Sequence, residues 1–120
     1  MKAVYFTEHG GIDRLIYGDL PDPRPGPGEA LVRVRACSVN HADRWVRQGL
    51  PMLRVPFPFV LGQDIAGELI AVDSTGQTLP VGARVVINPG VSCRRCDRCL
   101  SGWDNLCPRY QLIGKNLPGG

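Results

Sequence analysis

Several features that often reveal a protein's partner are absent from this sequence of 120 residues. No apolar run reaches the roughly 18 residues of a membrane-spanning helix, and the start of the chain lacks the apolar stretch of a secretory signal. Charge of one sign is also lacking, because 14 basic and 11 acidic side chains leave a net charge of +3. The sequence therefore predicts a cytoplasmic protein whose main partner is neither a membrane nor a nucleic acid.

Glycine and proline, in contrast, are abundant. The 15 Gly and 11 Pro make up 26 of the 120 residues, which is well above the average share of about 12% for the two together. Apolar residues account for 43% of the chain, enough for a folded core. This composition favours a turn-rich, mainly β fold over a bundle of helices.

Alternating apolar and polar residues between turn signals predict the strands. They are expected at residues 1–6, 15–20, 29–38, 63–73, 83–88 and 111–114, with a turn over 74–82. His9, beside Gly10 and Gly11, is expected to be a turn residue. Gly67, inside the fourth of these strands, indicates a bulge or close packing.

One short helix is expected between Asn40, which can cap its start, and Gly49, which can end it. Asp43 and Arg47 are four residues apart and are expected to form an exposed pair on its surface. The buried side of this helix is expected to contain Ala42, Trp45, Val46 and Gly49.

Four of the five cysteines follow the spacing C-x2-C-x2-C-x7-C, at Cys93, Cys96, Cys99 and Cys107. A closed tetrahedral zinc site takes four such thiolates and performs no chemistry, because it has no open position. The surrounding lobe, residues 91–110, has few apolar side chains, so metal binding must supply its folding free energy. An iron–sulfur cluster and two disulfides are the alternatives, although a secreted disulfide framework normally has an even number of cysteines.

The same lobe carries four arginines that can offset the charge of the thiolates: Arg94, Arg95, Arg98 and Arg109. They also allow a second hypothesis, a stand-alone zinc-stabilised β-barrel that binds a protein or a nucleic acid. Aromatic residues do not alternate with these arginines as a stacking platform for bases requires. Nucleic-acid binding is therefore the less favoured reading.

The order of motifs resembles the medium-chain dehydrogenase/reductase superfamily, which includes zinc-type alcohol dehydrogenases and quinone oxidoreductases. The matching segments are PRPGPGEALVRV, VNHADRWVRQG, PFVLGQDIAGELIAV, VGARVVINPG and the cysteine lobe through DNLCPRY. The resemblance implies a GroES-like, partly open β-barrel, followed in the family by a Rossmann domain that binds NAD(H) or NADP(H). Residues 1–120 are expected to be the N-terminal part of that catalytic domain. No G-x-G-x-x-G stands before a helix, so the Rossmann domain is expected to be absent and the isolated chain inactive.

The sequence departs from the zinc-type relatives at the catalytic metal. The family's cysteine ligand falls at Asn40 and its histidine ligand at Gln63, and neutral amides are poor zinc ligands. Asp64 takes the family's acidic position, but one carboxylate does not replace two ligands. Cys37 and His41 are four residues apart and straddle a strand-to-helix turn. We therefore expect no catalytic zinc, with Cys37 a strand thiol and Gln63 a hydrogen-bonding amide.

This pattern is similar to family members without a catalytic metal, in which hydride passes from NAD(P)H to a carbonyl or conjugated acceptor. The resemblance implies that Asn40 lines the pocket and hydrogen-bonds the developing enolate oxygen; its alternative role is a plain helix cap. His41 is placed to contact the cofactor's phosphates or is simply solvated, and Asp43 is a candidate acid or a capping residue. The full-length enzyme is expected to be a homo-oligomer.

Overall fold

A computed structural model describes residues 1–72 and 79–120. Eight strands and two short α-helices follow one another in these residues. The strands are β1 (Lys2–Phe6), β2 (Ile16–Asp19), β3 (Ala30–Cys37), β4 (Phe59–Val60), β5 (Ile65–Val72), β6 (Arg84–Val86), β7 (Gly90–Val91) and β8 (Gln111–Leu112). The helices are α1 (His41–Gln48) and α2 (Asp97–Leu100), and single 3-10 turns span Ile12–Arg14 and Asp104–Leu106.

The strands form three small antiparallel sheets, in the orders β2-β1-β4, β3-β5-β6 and β7-β8. Within the described residues these sheets stay open and do not close into a barrel. The predicted mainly β, partly open architecture is therefore confirmed. Of the predicted turn over 74–82, residues 74–78 lie outside the described residues, as does residue 73 of the predicted fourth strand.

Gly67 allows the two longest strands to approach closely. In β5 it lies opposite Val34 of β3, and a Cβ atom at Gly67 would overlap the carbonyl oxygen of Arg33. The register also shifts between Val34 and Ala36 on the partner strand. Both predicted alternatives are therefore found at Gly67: close packing against β3 and an irregular register beside it.

The main core lies where α1 covers the first sheet. Phe6 of β1, Val46 of α1 and Phe59 of β4 are fully buried, and the two phenyl rings meet edge to face with centroids 5.9 Å apart. Leu50, Leu53, Val55 and Leu61 pack around them. Burying an apolar side chain of this size contributes about 1.5–3 kcal/mol, so this contact holds α1 on the sheet.

Helix α1 begins and ends as predicted, after Asn40 and before Gly49, but its faces differ from the prediction. Trp45 is 51% exposed rather than core, because Val46 alone points at the phenyl rings. The prediction that Asp43 and Arg47 form an exposed pair is also wrong. Asp43 is buried, and the guanidinium of Arg47 instead donates to the carbonyl oxygen of Gly10 at 2.6 Å.

His9 is a packed residue and not merely part of a turn. Its Nδ1 lies 3.0 Å from the carbonyl oxygen of Val46 and 3.3 Å from that of Arg47. Because both partners only accept, Nδ1 carries the hydrogen. The ring also contacts Phe6 and Phe57, at centroid distances of 5.7 and 5.3 Å. His9 thus fastens the loop after β1 to the C-terminal end of α1.

Candidate functional site

The four lobe cysteines converge on one point. Cys93 follows β7, Cys96 and Cys99 lie at the start and inside of α2, and Cys107 follows the second 3-10 turn. Their sulfur atoms all lie within 4.8 Å of one another, with Cys99 Sγ at 3.5 Å from Cys96 Sγ and 3.9 Å from Cys93 Sγ. Four sulfurs bonded to Zn²⁺ at about 2.3 Å stand about 3.8 Å apart. The set therefore fits a single tetrahedral zinc ion.

Backbone N–H groups and the side chain of Arg109 support negative charge on these sulfurs. Cys107 Sγ accepts the N–H groups of Cys93 at 3.5 Å and of Arg109 at 3.4 Å. Hydrogen bonds, first of all from the Arg95 backbone, lower the pKa of Cys93 to about 5. Desolvation raises the pKa of Cys99 to about 12. A divalent cation removes this conflict, because it stabilises all four thiolates at once.

Apolar burial does not hold the lobe together. Its three larger apolar side chains, Leu100, Trp103 and Leu106, are 74%, 58% and 52% exposed. The cysteines are all free, and their sulfurs are too far apart for disulfide bonds of about 2.05 Å. A cluster of several irons would spread its thiolates more widely than one ion does. Compared with apolar burial, disulfides or an iron–sulfur cluster, a single metal ion best explains how residues 91–110 are held together.

A second group of polar side chains lies at the start of α1, and we call Ser38, Asn40 and Asp64 the helix-start network. Asn40 Nδ2 donates to Asp64 Oδ2 at 2.9 Å and to Ser38 Oγ at 3.4 Å. Ser38 Oγ donates to the same Asp64 Oδ2 at 2.8 Å. The hydrogen bonds from Asn40 and then Ser38 lower the pKa of Asp64, so this carboxylate is ionised at neutral pH.

Asp43 braces this network from inside the protein. Its Oδ2 accepts the backbone N–H of Asn40 at 2.6 Å and its Oδ1 accepts the backbone N–H of Gly62 at 3.0 Å. The side chain is almost fully buried, and a buried carboxylate needs such partners. Asp43 therefore joins the start of α1 to the segment that leads into β5.

The remaining candidates lie around this brace. His41 is exposed in the first turn of α1, with its ring 5.9 Å from that of Trp45. Cys37 lies beside Gly62, and partial burial followed by the charges of Asp43 and Asp64 raises the pKa of its thiol. Gln63 differs from expectation, because its buried Nε2 has no hydrogen-bond partner among the described residues.

Within residues 1–72 and 79–120, the cysteine lobe is the one place where three or more potential metal ligands come together. In this part of the chain, neither Cys37 nor His41 belongs to a group of three or more potential ligands. Sequence reasoning missed Ser38 as a partner of Asn40 and Asp64. Its position two residues before Asn40 was the available signal.

The chain matches the alcohol dehydrogenase GroES-like domain over residues 26–120. It therefore belongs to that family, and the resemblance read from the motifs is confirmed. No helix in the described part of the chain combines the length and apolarity needed to cross a membrane.

Among curated relatives, D-altritol 5-dehydrogenase of Agrobacterium fabrum is 34% identical over 125 residues, covering 100% of this chain and 34% of that protein. A crystal structure of an NAD-dependent alcohol dehydrogenase is 50% identical with a TM-score of 0.92, covering 99% of this chain and 35% of the other. The cobalt- and zinc-bound thermostable alcohol dehydrogenase of Pyrobaculum aerophilum is 32% identical with a TM-score of 0.91, covering 100% and 36%.

The chain thus spans about a third of the length of the proteins that it matches. The family is enzymatic, since these relatives are dehydrogenases. A stand-alone binding module, the second hypothesis from the sequence, is not favoured.

Proposed function

We propose that the intact protein containing this chain is an NAD(P)-dependent oxidoreductase of small carbonyl or conjugated compounds that works without a catalytic zinc. The observation that carries this proposal is that, among the described residues, three or more potential metal ligands come together only in the cysteine lobe. The resemblance implies metal ligands at positions 40 and 63, where this chain has the amides of Asn40 and Gln63. The nicotinamide cofactor supplies or accepts the hydride when bound. The chain's own residues then position the substrate, and the amides of Asn40 and Gln63 do not bind a catalytic metal.

The zinc of this protein has a mechanical role in the proposal. Cys93, Cys96, Cys99 and Cys107 would hold it and complete its coordination, which leaves no position for substrate. It would clamp residues 91–110 in a shape that their apolar side chains cannot maintain. The metal therefore contributes to folding and not to hydride transfer.

The candidate site residues take different roles. Asn40 lines the substrate pocket, held by Asp64 through its side chain and by Asp43 through its backbone. Asp43 is a positioning residue, because both of its oxygens are bound to backbone N–H groups. His41, exposed in the first turn of α1, contacts the cofactor's phosphates, where the N–H groups at a helix start favour anions.

Residues 1–120 form the N-terminal part of the catalytic domain in this proposal, and the cofactor is bound mainly by residues outside them. The lack of a G-x-G-x-x-G turn supports that division. We further propose that the protein acts in the cytoplasm as a homo-oligomer and binds no nucleic acid. Gel filtration with light scattering of the intact protein tests its oligomeric state.

The proposed reaction is tested with the intact protein after its metal content has been measured. Preparations that hold one zinc per chain are assayed with NADH and NADPH against a panel of aldehydes, ketones and conjugated ketones. We expect reduction of at least one compound without added metal, and none by the 120-residue chain. A dependence of the rate on a second metal ion would contradict the proposal.

A matched pair of variants connects the reaction to the site. Asn40→Gly removes the amide at a position where glycine costs the helix only a few tenths of a kcal/mol. We expect it to lower kcat/KM, whereas Asn105→Gly, in the exposed part of the cysteine lobe, should leave kcat/KM unchanged. Equal effects of the two changes on kcat/KM would show that Asn40 does not line the pocket.

A further inference from the structure

We propose that Asp104 is an alternative ligand of the four-cysteine zinc site, a carboxylate that takes the place of Cys99 when that sulfur leaves the metal. This role concerns the zinc that holds the lobe together, and it goes beyond the reaction proposed above. Two contacts of the same carboxylate carry it. Asp104 hydrogen-bonds the side chain of Cys99, and both residues line one cavity.

This polar cavity lies beside the metal site and has a volume of about 550 Å³. Ser92, Cys99 and Asp104 line it together with Arg94 and Tyr110, among others. Asp104 and Arg94 are exposed, so the cavity is open to solvent. Cys99 is the one cysteine among its described lining residues. Of the four sulfurs, that of Cys99 is therefore the one that solvent reaches through this cavity.

The backbone that positions two of the ligands also positions Asp104. Its carbonyl oxygen accepts the N–H of Cys107 at 3.0 Å, in the 3-10 turn Asp104–Leu106. Its Oδ1 accepts the hydroxyl of Ser92 at 3.0 Å, and Ser92 directly precedes Cys93. Asp104 is thus tied to the chain next to two ligands, and these bonds keep its carboxylate beside Cys99.

The sulfurs differ in the support that they receive. Cys107 Sγ accepts two backbone N–H groups, and Cys93 accepts those of Arg95 and Cys96. Cys99 instead has the carboxylate of Asp104 and the hydroxyl of Ser92 beside it, and the single hydrogen of that hydroxyl also serves Asp104 Oδ1. Cys99 is therefore released from a metal more easily than Cys93 or Cys107.

Asp104 is a neighbour of the metal site and not a fifth ligand. Among the described residues, the group whose ligand atoms all lie within 4.8 Å of one another contains the four cysteines without Asp104. A thiol at Cys99 can donate its hydrogen to the carboxylate, whereas a metal-bound thiolate has no hydrogen to donate. The carboxylate is then free to turn to the cation once the sulfur has left.

A carboxylate also meets the chemical requirements of this position. Zn²⁺ binds aspartate oxygens at about 2.0–2.2 Å in proteins, close to its distance of about 2.3 Å to cysteine sulfur. Exchanging one thiolate for one carboxylate keeps four anionic ligands, so the net charge of the centre stays the same. Zinc sites of this kind favour the softer thiolate. Asp104 is therefore expected to bind only when the sulfur of Cys99 is missing.

Removing this sulfur tests the role of Asp104 in the intact protein. We expect Cys99→Ala to retain one zinc ion per chain, unlike Cys96→Ser, because Asp104 supplies the fourth ligand. With Co²⁺ in place of zinc, the sulfur-to-cobalt charge-transfer absorption should fall by about a quarter, since three of the four sulfurs remain. Cys99→Ser is a second variant in case Cys99→Ala aggregates. Loss of the metal from both variants would overturn the proposal.

Zinc affinities measured by chelator competition separate a ligand from a residue that merely supports Cys99. Asp104→Asn alone should change the affinity by less than about threefold, because four thiolates already complete the coordination. In the Cys99→Ala protein, the same change should weaken zinc binding by at least about tenfold. Cys99→Ala/Asp97→Asn is the matched control, since Asp97 is another exposed carboxylate of the lobe. It should bind zinc as tightly as Cys99→Ala does.

Two results of this comparison would contradict a ligand role. Equal effects of Asp104→Asn with and without Cys99 would mean that the carboxylate supports the site and does not bind the metal. An equally large effect of Asp97→Asn in the Cys99→Ala protein would mean that any nearby negative charge suffices. Enzymatic activity does not enter these measurements, so their outcome is independent of the proposed reaction.

Discussion

Asp43 Oδ1 accepts the backbone N–H of Gly62 at 3.0 Å. This single bond links the first turn of α1 to the segment before β5, 19 residues further along the chain. Because Asn40 lies one turn away from Asp43 and Asp64 lies two residues after Gly62, the bond also brings the two halves of the helix-start network together.

Replacing this carboxylate should destabilise the fold. In Asp43→Asn, an NH₂ group replaces one of the two carboxylate oxygens that accept backbone N–H groups. One buried backbone N–H therefore loses its acceptor. Hydrogen bonds to charged groups are worth about 1.5–3 kcal/mol, and we expect the free energy of unfolding to fall by about that amount in urea denaturation. The exposed control Asp13→Asn should change it by less than about 0.5 kcal/mol. Similar losses in both variants would contradict the brace.

Gly62 should not tolerate a side chain. Its φ is +105°, and a Cβ atom would overlap Cys37 Sγ and come within 2.6 Å of the Gly120 carbonyl oxygen. Backbone strain and overpacking each cost about 1–3 kcal/mol, so we expect Gly62→Ala to lower the free energy of unfolding by about 3 kcal/mol. Gly82 has a φ of +91° and open space around it, so Gly82→Ala should cost only the strain. Equal costs would show that the contact with Cys37 is not tight.

The unpaired amide of Gln63 gives a prediction of opposite sign. A buried polar group without a partner costs about 1–3 kcal/mol, and Gln63 Nε2 is such a group. Gln63→Met has a similar shape and no such group, so we expect it to raise the free energy of unfolding by about 1 kcal/mol. The exposed control, Gln111→Met, should stay within about 0.5 kcal/mol of the original protein. A destabilised Gln63→Met would mean that the amide has a partner, such as water.

Cys37 should be the one cysteine that alkylates in the zinc-loaded chain, since the other four would be metal ligands. Partial burial raises the pKa of its thiol above the ordinary value of 9.0, and the negative charges of Asp43 and Asp64 raise it further. The thiolate is the reactive form, so the rate with iodoacetamide should still be rising with pH at 9.0 and should level off only above that value. Asp64→Asn removes one of the opposing charges and should shift the profile to lower pH. Mass spectrometry counts the labels, and five labels before chelation would contradict the metal assignment.

Local signals in the sequence predicted much of this structure. Asn40 and Gly49 bound α1 because capping and termination depend on neighbouring residues. The spacing from Cys93 to Cys107 predicted convergence of the sulfurs, because one ion must be reached by all four. The positions of six strands followed from alternation along the chain, whereas β4 and β7, with two residues each, were not predicted.

Contacts between distant residues decided the rest. The prediction that Trp45 is buried and Asp43 exposed failed because Phe6 and Phe59, remote in sequence, determine which face of α1 is covered. The bond from Asn40 to Asp64 spans 24 residues, and the bond from His9 to Val46 spans 37. Periodicity carries no information about such partners.

Metal analysis of the purified, extensively dialysed protein tests both the four-cysteine zinc centre and the metal-free site at Asn40. We expect one zinc per chain, lost in Cys96→Ser and Cys107→Ser and kept in the control Cys37→Ser. Two tightly held zinc ions per chain would contradict a metal-free site at Asn40 and Gln63. A zinc content unchanged by the serine replacements would contradict the four-cysteine centre.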